Sequence, residues 1–204
     1  MQTPAGVVSL AKLLSLPPPT RRERLKLAVK LASSVLQFHK TEWLQERWGK
    51  QDIYFIQEDP KSLEIPVVCQ AFTPESSVPE ASMKSIISCN LSLFSLGIVL
   101  IELWFWRSVE SFQVNKPGAN DPPEDLDTAR FITATKLIQT LYGDAGSNYG
   151  DIVRRCINGL DHREIQLEND EFKNEVYLKV LQPLERDLEH FYSEPLEKIF
   201  KWSS

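Results

Sequence analysis

Apolar residues recur at helical spacing over most of this chain. The i, i+3, i+4, i+7 pattern runs through residues 21–39, 131–142, 149–157 and 170–188, and in the first and last of these the opposite face is charged. Such a stripe becomes stable when it packs against another apolar surface. The pattern therefore predicts a set of amphipathic helices around a common core.

The ends of these helices carry separate signals. Thr20 and Glu23 fit a capping box, in which two side chains satisfy the orphan amides of a helix start, and a run of three prolines comes just before. Gly143 and Gly159 each follow an apolar stripe and predict helix ends. Pro183 lies inside the last stripe, so we expect it to kink or split that helix.

One stretch, residues 91–106, is apolar almost without interruption. It is shorter than the roughly 20 residues needed to cross a bilayer, and it contains an acid, Glu102. Asn90 and Ser92 offer capping side chains at its start. We therefore expect a buried central helix rather than a membrane span.

Two short segments favour β-structure. Residues 52–56 are β-branched and aromatic, and residues 65–69 are a suitable partner strand. Residues 71–88 and 107–127, which contain Pro and many polar residues, indicate long, flexible connections. The expected fold is mainly α, as a single domain over residues 1–204 with a small β-hairpin or short strands.

Composition and charge narrow the classes of function. The 204 residues are 42% hydrophobic, enough for a full core, and the formal net charge is -5 with a pI of about 5.3. Nonspecific binding to nucleic acid or to anionic membranes needs clustered excess Lys and Arg, so neither partner is expected. The first residues lack the pattern of a secretory signal, which predicts a cytoplasmic protein.

The spacing of cysteine and histidine argues against disulfides and metal sites. Cys69, Cys89 and Cys156 are odd in number and widely separated, which favours reduced core thiols. The three histidines are also far apart and form no His-Glu-x-x-His pattern. We expect no metal and no other cofactor.

Two segments resemble the C-terminal lobe of protein kinases. Residues 93–103, LFSLGIVLIEL, are similar to its central helix, typically DVYSFGVVLLEL, and residues 152–157, IVRRCI, resemble a later helix of that lobe. The order of elements also fits: an amphipathic helix, a short apolar strand, the central helix and then smaller helices. The resemblance implies a helical domain like a kinase C-lobe, without an N-lobe.

The chain also resembles a fungal family of unknown function that is kinase-like in its C-lobe and is often attached to prion-inhibition or HeLo-type modules. This likeness covers most of the chain. Its segments are residues 27–36, Trp43-Leu44 with Trp48, Asp52-Ile53, residues 170–172 and residues 180–188. The resemblance implies a setting in fungal self-recognition or regulated cell death.

Groups that kinase chemistry requires are missing from these stretches. Where a kinase catalytic loop typically reads HRDLKPSN, residues 45–52 read QERWGKQD, which puts Arg47 in place of the catalytic aspartate. A guanidinium stays charged and cannot accept a proton from a substrate hydroxyl. Asp52 falls at the metal-binding asparagine, and Ser92 replaces the aspartate that opens the central helix. The sequence contains neither a Gly-x-Gly-x-x-Gly loop nor an Asp-Phe-Gly motif.

These observations predict a non-catalytic, pseudokinase-like module for protein interaction or scaffolding. Trp43, Trp48 and Trp202 are candidates for contact with a partner protein or a second copy, against the simpler alternative that they belong to the core. No catalytic residue and no small-molecule substrate is expected. A residual nucleotide-binding protein or a divergent phosphotransferase is the alternative. The chain could also be a fragment of a longer protein whose missing part carries the activity.

Overall fold

The described part of the chain is mainly helical and carries one small sheet. The structure, a computed structural model, describes residues 6–38, 47–57, 65–68, 90–112, 126–160 and 166–190. Its strands are β1 (Gly6–Ser9), β2 (Ile53–Gln57) and β3 (Ile65–Val68). Its α-helices are α1 (Leu10–Leu13), α2 (Arg21–Phe38), α3 (Leu91–Phe105), α4 (Leu126–Asp144), α5 (Ser147–Asn158), α6 (Asp170–Val176) and α7 (Gln182–Glu189). The predicted mainly-α class with short strands is confirmed.

Helix α3 lies at the centre of the core. Every residue from Ser92 to Leu103 is buried, and the helix packs against α2 and α5. Asn90 caps its start, because its side-chain oxygen accepts the backbone N–H of Ser92 at 3.0 Å and of Leu93 at 3.2 Å. In the segments that the structure describes, no helix is both long enough and apolar enough to span a bilayer. The predicted buried central helix is confirmed.

Helices α3 and α5 come close together at Gly97. A Cβ atom at this position would lie 2.8 Å from Ile157 Cδ1 and 2.9 Å from Cys156 Cβ, closer than real Cβ atoms approach other atoms. Cys156 is a reduced, buried thiol, as predicted, whereas Cys69 and Cys89 lie outside the described residues. The missing side chain at Gly97 therefore sets the distance between the two helices.

Helix α2 begins as the capping box predicts. Thr20 Oγ1 accepts the Glu23 amide at 3.3 Å, and Glu23 Oε2 accepts the Thr20 amide at 2.8 Å. Its inner face, which includes Leu25, Val29 and Leu36, is buried. The predicted helix start and the predicted apolar face are both confirmed.

The sheet has three antiparallel strands in the order β1-β2-β3. The predicted hairpin is confirmed, with Tyr54 of β2 opposite Val67 of β3. Strand β1 differs from the prediction, in which residues 6–9 have no assigned structure. It pairs with the other edge of β2 and places Ser9 opposite Tyr54. Four residues are too few to show a period, so only the pairing with β2 makes this segment a strand.

One predicted helix end lies one residue too early, because α4 ends at Asp144. Helix α4 continues past Gly143, and the left-handed backbone lies instead at Gly146, with a φ of 93°, just before α5. Gly159 ends α5 with a φ of 90°, as predicted.

The two ends of the predicted connection 107–127 are helical, as a 3-10 helix at Val109–Phe112 and the start of α4. Residues 113–125 and the predicted connection 71–88 lie outside the described residues.

The last long apolar stripe is divided by a π-helical turn, Tyr177–Leu181, between α6 and α7. In this turn the Gln182 amide donates to the Tyr177 carbonyl, five residues back. Pro183 follows and has no N–H to offer the Lys179 carbonyl, which accepts from the Arg155 side chain at 3.0 Å. The predicted division of the helix near Pro183 is confirmed.

Candidate functional site

The turn before β2 borders a cavity. Residues 47–52 form the turn before β2, and the Trp48 amide donates to Ser95 Oγ of α3 at 3.3 Å. Between this turn, α3 and the start of α4 is a cavity of about 270 Å³, here called the α3 cavity. Its lining includes Arg47, Trp48, Lys50, Gln51, Leu91, Phe94, Ile98, Glu102, Leu126, Asp127 and Arg130.

Lys50 reaches from the turn to two carboxylates. Its Nζ lies 2.7 Å from Glu102 Oε1 and 2.7 Å from Glu110 Oε2. Glu102 Oε1 also accepts the Val109 backbone N–H at 3.0 Å. Glu102 is 1% exposed, so Lys50 is the cation that makes a buried acid tolerable in the central helix.

Glu110 accepts hydrogen bonds from several directions. Besides Lys50, the Ser108 hydroxyl donates to it, and Arg130 approaches with Nε at 2.9 Å and Nη2 at 2.8 Å. Burial alone would raise the pKa of Glu110, but the hydrogen bonds from Lys50, Ser108, the backbone and Arg130 outweigh it and lower the pKa to about 2. Glu110 is therefore ionised at physiological pH.

Arg47 stands where the resemblance implies a catalytic aspartate. Its Nη1 lies 3.1 Å from Asp127 Oδ2, and Asp127 Oδ1 lies 3.7 Å from Arg130 Nη1. A continuous series of contacts results, here called the ion-pair cluster: Arg47, Asp127, Arg130, Glu110, Lys50 and Glu102. Cations and anions alternate along it in equal number, so their formal charges cancel.

Asp52, which the resemblance places at a metal-binding position, stabilises its own turn. Its Oδ2 accepts the Gly49 N–H at 2.9 Å, and its own N–H donates to the Gly49 carbonyl at 3.0 Å. Burial raises the pKa of Asp52, and the bond from Gly49 offsets part of that increase. Across the described segments, no three His, Cys, Asp or Glu side chains are grouped so that they could hold a metal ion.

Two residues that line the α3 cavity each carry a buried polar atom with no hydrogen-bond partner in the part of the chain that the structure describes. They are Glu102 Oε2 and Trp48 Nε1, and their residues are 1% and 7% exposed. Burial raises the pKa of Glu102 by more than the contacts with Lys50 and Val109 lower it. Neither atom has appreciable accessible surface, so both are enclosed by the packing of the protein.

A groove of about 510 Å³ lies between the end of α2 and the C-terminal helices, and is here called the α2/α7 groove. Its lining residues are Ser33, Leu36, Gln37, Asp170, Lys173, Asn174, Tyr177, Leu181 and Glu185. Tyr177 is 40% exposed, and the adjacent Leu178 is 43% exposed. The π-helical turn that presents both residues is a feature often found at functional sites.

Of the three tryptophans predicted to contact a partner, Trp48 alone lies in the described residues. It is 7% exposed and lines the α3 cavity, while Trp43 and Trp202 lie outside the described part of the chain. Contact of these tryptophans with a partner stays a prediction.

The ion-pair cluster is not predicted from the sequence as a unit. Glu102, the one acid in the apolar stretch 91–106, is the sequence signal that points to it.

A family model matches residues 3–191, and that family is described as a domain of unknown function (DUF7580). The match includes the α3 cavity, the ion-pair cluster and the α2/α7 groove. Neither a curated protein nor a solved structure matches the chain. Because the family model spans nearly the whole chain, the protein belongs to this family of unknown function.

Proposed function

We propose that this chain is a non-catalytic, pseudokinase-like module that binds a partner protein. The observation that carries the proposal is the ion-pair cluster. Where the kinase resemblance puts a base and a metal ligand, Arg47 is paired with Asp127 and Asp52 accepts the Gly49 amide. Phosphoryl transfer needs carboxylates that face metal and substrate. Here Asp127 and Asp52 stabilise the 47–52 turn instead.

The pairing inside the cluster also disfavours a bound nucleotide. Lys50 and Arg130 could attract phosphate, but each lies within 3 Å of a carboxylate oxygen. A triphosphate would have to displace Glu102 or Glu110 from these cations. Leaving a buried carboxylate unpaired costs about 3–5 kcal/mol, so the exchange is unfavourable.

The kinase relationship and the cellular setting are part of the proposal. They depend on the resemblance of residues 93–103 and 152–157 to a kinase C-lobe, and of the wider chain to a fungal family. We place the protein in the cytoplasm, in fungal self-recognition or cell-death signalling, with a protein or a second copy of the chain as its partner. A fold is compatible with many functions, so this setting needs its own test.

The α2/α7 groove supplies the surface that such a module needs. Aromatic side chains are enriched where proteins bind each other, and Tyr177 lies partly exposed in the groove beside Leu178. Asp170, Lys173 and Glu185 line the same groove and would give it a polar rim. A partner that buries Tyr177 and Leu178 would remove two exposed apolar side chains from water.

A matched pair of surface variants tests the interaction. The tagged chain is expressed in its own cells, and the proteins that co-purify with it are quantified by mass spectrometry. We expect Leu178→Asp to reduce recovery of a specific partner at least about tenfold, because a charge in the contact costs more than about 1.4 kcal/mol. Ile132→Asp, at a residue of α4 that is 41% exposed, should leave recovery unchanged. Equal recovery with wild type and Leu178→Asp would refute the exposed surface around Tyr177 and Leu178 as the contact.

A thermal-shift experiment tests the absence of nucleotide binding. A ligand that binds the native state raises the melting temperature, so Mg²⁺-ATP should have no more effect than Mg²⁺ alone. A specific rise that disappears in Lys50→Ala would establish the nucleotide-binding alternative. The Lys50→Ala protein is compared with its own nucleotide-free melting temperature, because the substitution itself is expected to be destabilising.

A further inference from the structure

Two arginines at the start of α2 share one aromatic ring, that of Trp104 near the end of α3. Arg21 Cζ lies 4.6 Å from the centre of the ring and Arg24 Cζ lies 5.7 Å from it, both at the distance of a cation–π contact. Tyr149 of α5 packs against the same ring, with 5.0 Å between the ring centres. Arg21 is exposed, and Arg24 and Trp104 are partly exposed. These three residues are here called the Arg/Trp surface.

Backbone carbonyls hold both guanidinium groups in place. Arg21 Nη2 donates to the Ala145 carbonyl at 3.3 Å, and Arg24 Nη1 donates to the Trp104 carbonyl. A carbonyl has no formal charge to cancel that of an arginine, and a guanidinium has more N–H groups than these bonds use. Each arginine is therefore ordered but keeps its charge.

Neither Arg21 nor Arg24 has a carboxylate within 4 Å in the part of the chain that the structure describes. Three other arginines have one, namely Arg47, Arg130 and Arg154. Two acids in the same region are bound to other groups: Glu23 belongs to the capping box of α2, and Asp187 accepts from the Asn148 side chain at 2.7 Å. Among those residues, the two arginines are left without a counter-ion.

The two arginines also repel each other. Burial lowers the pKa of Arg24, and the charge of Arg21 lowers it further, while Tyr149 acts in the opposite direction. Like charges this close are unfavourable unless an anion lies beside them. Residues 21–30 contain five basic residues and one acid, Glu23, whereas the whole chain has a formal net charge of -5. An acidic partner is therefore attracted to the start of α2 more than to the rest of the molecule.

We infer that the Arg/Trp surface binds an acidic segment of the partner protein, with one carboxylate on Arg21 and a second on Arg24. The inference rests on the proposed function, because it names the chemistry of that partner. Planar guanidinium groups bind carboxylates through paired hydrogen bonds, and stacking on an aromatic ring leaves their N–H edge available. An extended segment with the pattern Glu-x-Glu places two carboxylates on one side, about 7 Å apart at the backbone.

Two carboxylates fit this surface better than a single phosphate. Arg21 is anchored on the Ala145 carbonyl, just after α4, and Arg24 on the carbonyl of Trp104 in α3. Each guanidinium group is thus fixed on a different element. Separate carboxylates meet both groups where they are, whereas one phosphate would have to draw them together and away from these carbonyls.

Two labelled peptides of equal length test this chemistry. One alternates serine with glutamate, and the other has glutamine in place of every glutamate. Fluorescence anisotropy with the full chain should show binding of the glutamate peptide and at least about tenfold weaker binding of the glutamine peptide, because only carboxylates pair with the arginines. Added salt should weaken binding of the glutamate peptide, since the pairs lie at the surface.

Matched arginine variants locate the contact. Arg21→Gln should weaken binding of the glutamate peptide about fivefold, the value of one exposed ion pair. Arg21→Lys keeps the charge without the planar group and should lose less. Arg154→Gln removes the same charge from an arginine that already pairs with Asp151, so binding should be unchanged. Equal losses in Arg21→Gln and Arg154→Gln would contradict the inference, because only net charge would then matter.

The Trp104 indole reports binding at the surface itself. In isotope-labelled protein, its N–H resonance is identified by its loss in Trp104→Phe. The glutamate peptide should shift this resonance and leave that of Trp48 in place, because Trp48 lies in the turn before β2. A shift of the Trp48 resonance alone would place the peptide elsewhere and overturn the inference.

Other outcomes would replace the occupant. No binding of the glutamate peptide at its highest soluble concentration would exclude an acidic segment. A peptide with phosphoserine in place of glutamate that binds more than about tenfold tighter would show a phosphorylated partner. Phosphatidylserine vesicles that bind wild type but not Arg21→Gln would show a membrane surface, and a dimer in sedimentation that Arg21→Gln dissociates would show a second copy. The proposed function fails independently, through the Leu178→Asp or Mg²⁺-ATP experiments, since the peptide assay needs no cellular partner.

Discussion

Helix α3 packs in different ways on its two sides. Against α5 the contact is apolar and close, with Gly97 placed directly over Cys156 and Ile157. Toward the 47–52 turn and α4, the same helix presents the buried Glu102, which lies 2.7 Å from Lys50 and borders a cavity of about 270 Å³. The first contact depends on shape, and the second depends on charge pairing.

The two sides of α3 differ in the substitutions that they tolerate. Close apolar packing is sensitive to one added methyl group, because interiors have almost no free volume. The charged side has spare volume, but it is sensitive to the loss of a single charge, which leaves the opposite charge buried. A site for a partner or ligand is more readily built on the second side.

The largest expected effect is that of Lys50→Ala. Removing the cation leaves Glu102 buried and takes one donor from Glu110, so the free energy of unfolding should fall by about 3 kcal/mol. Urea unfolding followed by circular dichroism measures this change. Lys136→Ala, at an exposed position of α4, is the matched control and should change stability by less than about 0.5 kcal/mol. Similar values for both variants would mean that the cluster contributes little.

On the apolar side, Gly97→Ala should destabilise the protein by about 1–3 kcal/mol. The new methyl group would lie 2.8 Å from Ile157 Cδ1 and 2.9 Å from Cys156 Cβ, so α3 and α5 must move apart. Gly143→Ala is the comparison, since nothing lies within 4 Å of a Cβ there. Alanine favours a helix over glycine, so that variant should gain up to about 1 kcal/mol. Thermal melts of both variants check the opposite signs.

The smallest effect concerns acid stability. The folded pKa of Glu110 is lowered from 4.5 to about 2, so its contribution is present above pH 4.5 and is lost as the pH falls toward 2. Because Glu110 is partly exposed, we expect the loss to be only about 1 kcal/mol. Glu102 acts in the opposite sense: its raised pKa removes stability as the pH rises above 4.5.

Unfolding free energies between pH 6 and pH 2 test this assignment. In Glu110→Gln the fall in stability over that interval should be smaller than in wild type. Glu168→Gln, at an exposed position, should show the wild-type profile. An unchanged profile in Glu110→Gln would mean that other carboxylates control the acid response.

Local signals account for much of the fold. Thr20 contacts Glu23, and Asn90 contacts Leu93, so each contact joins residues only three positions apart. Contacts this short can be predicted from the local sequence. Pro183 acts through its own missing N–H. At Gly143 the predicted helix end is one residue early, because an apolar stripe followed by glycine locates the end of a helix only to within a residue or two.

The sequence by itself determined the helical stripes, most of the helix ends and the buried character of α3. Only the tertiary structure decided that Lys50 meets Glu102 and Glu110, which are 52 and 60 residues away, and that Asp127 pairs with Arg47. Strand β1 likewise depends on a partner more than 40 residues distant. Periodicity reports which face of an element is buried, whereas charge pairs and cavities depend on how separate elements are brought together in space.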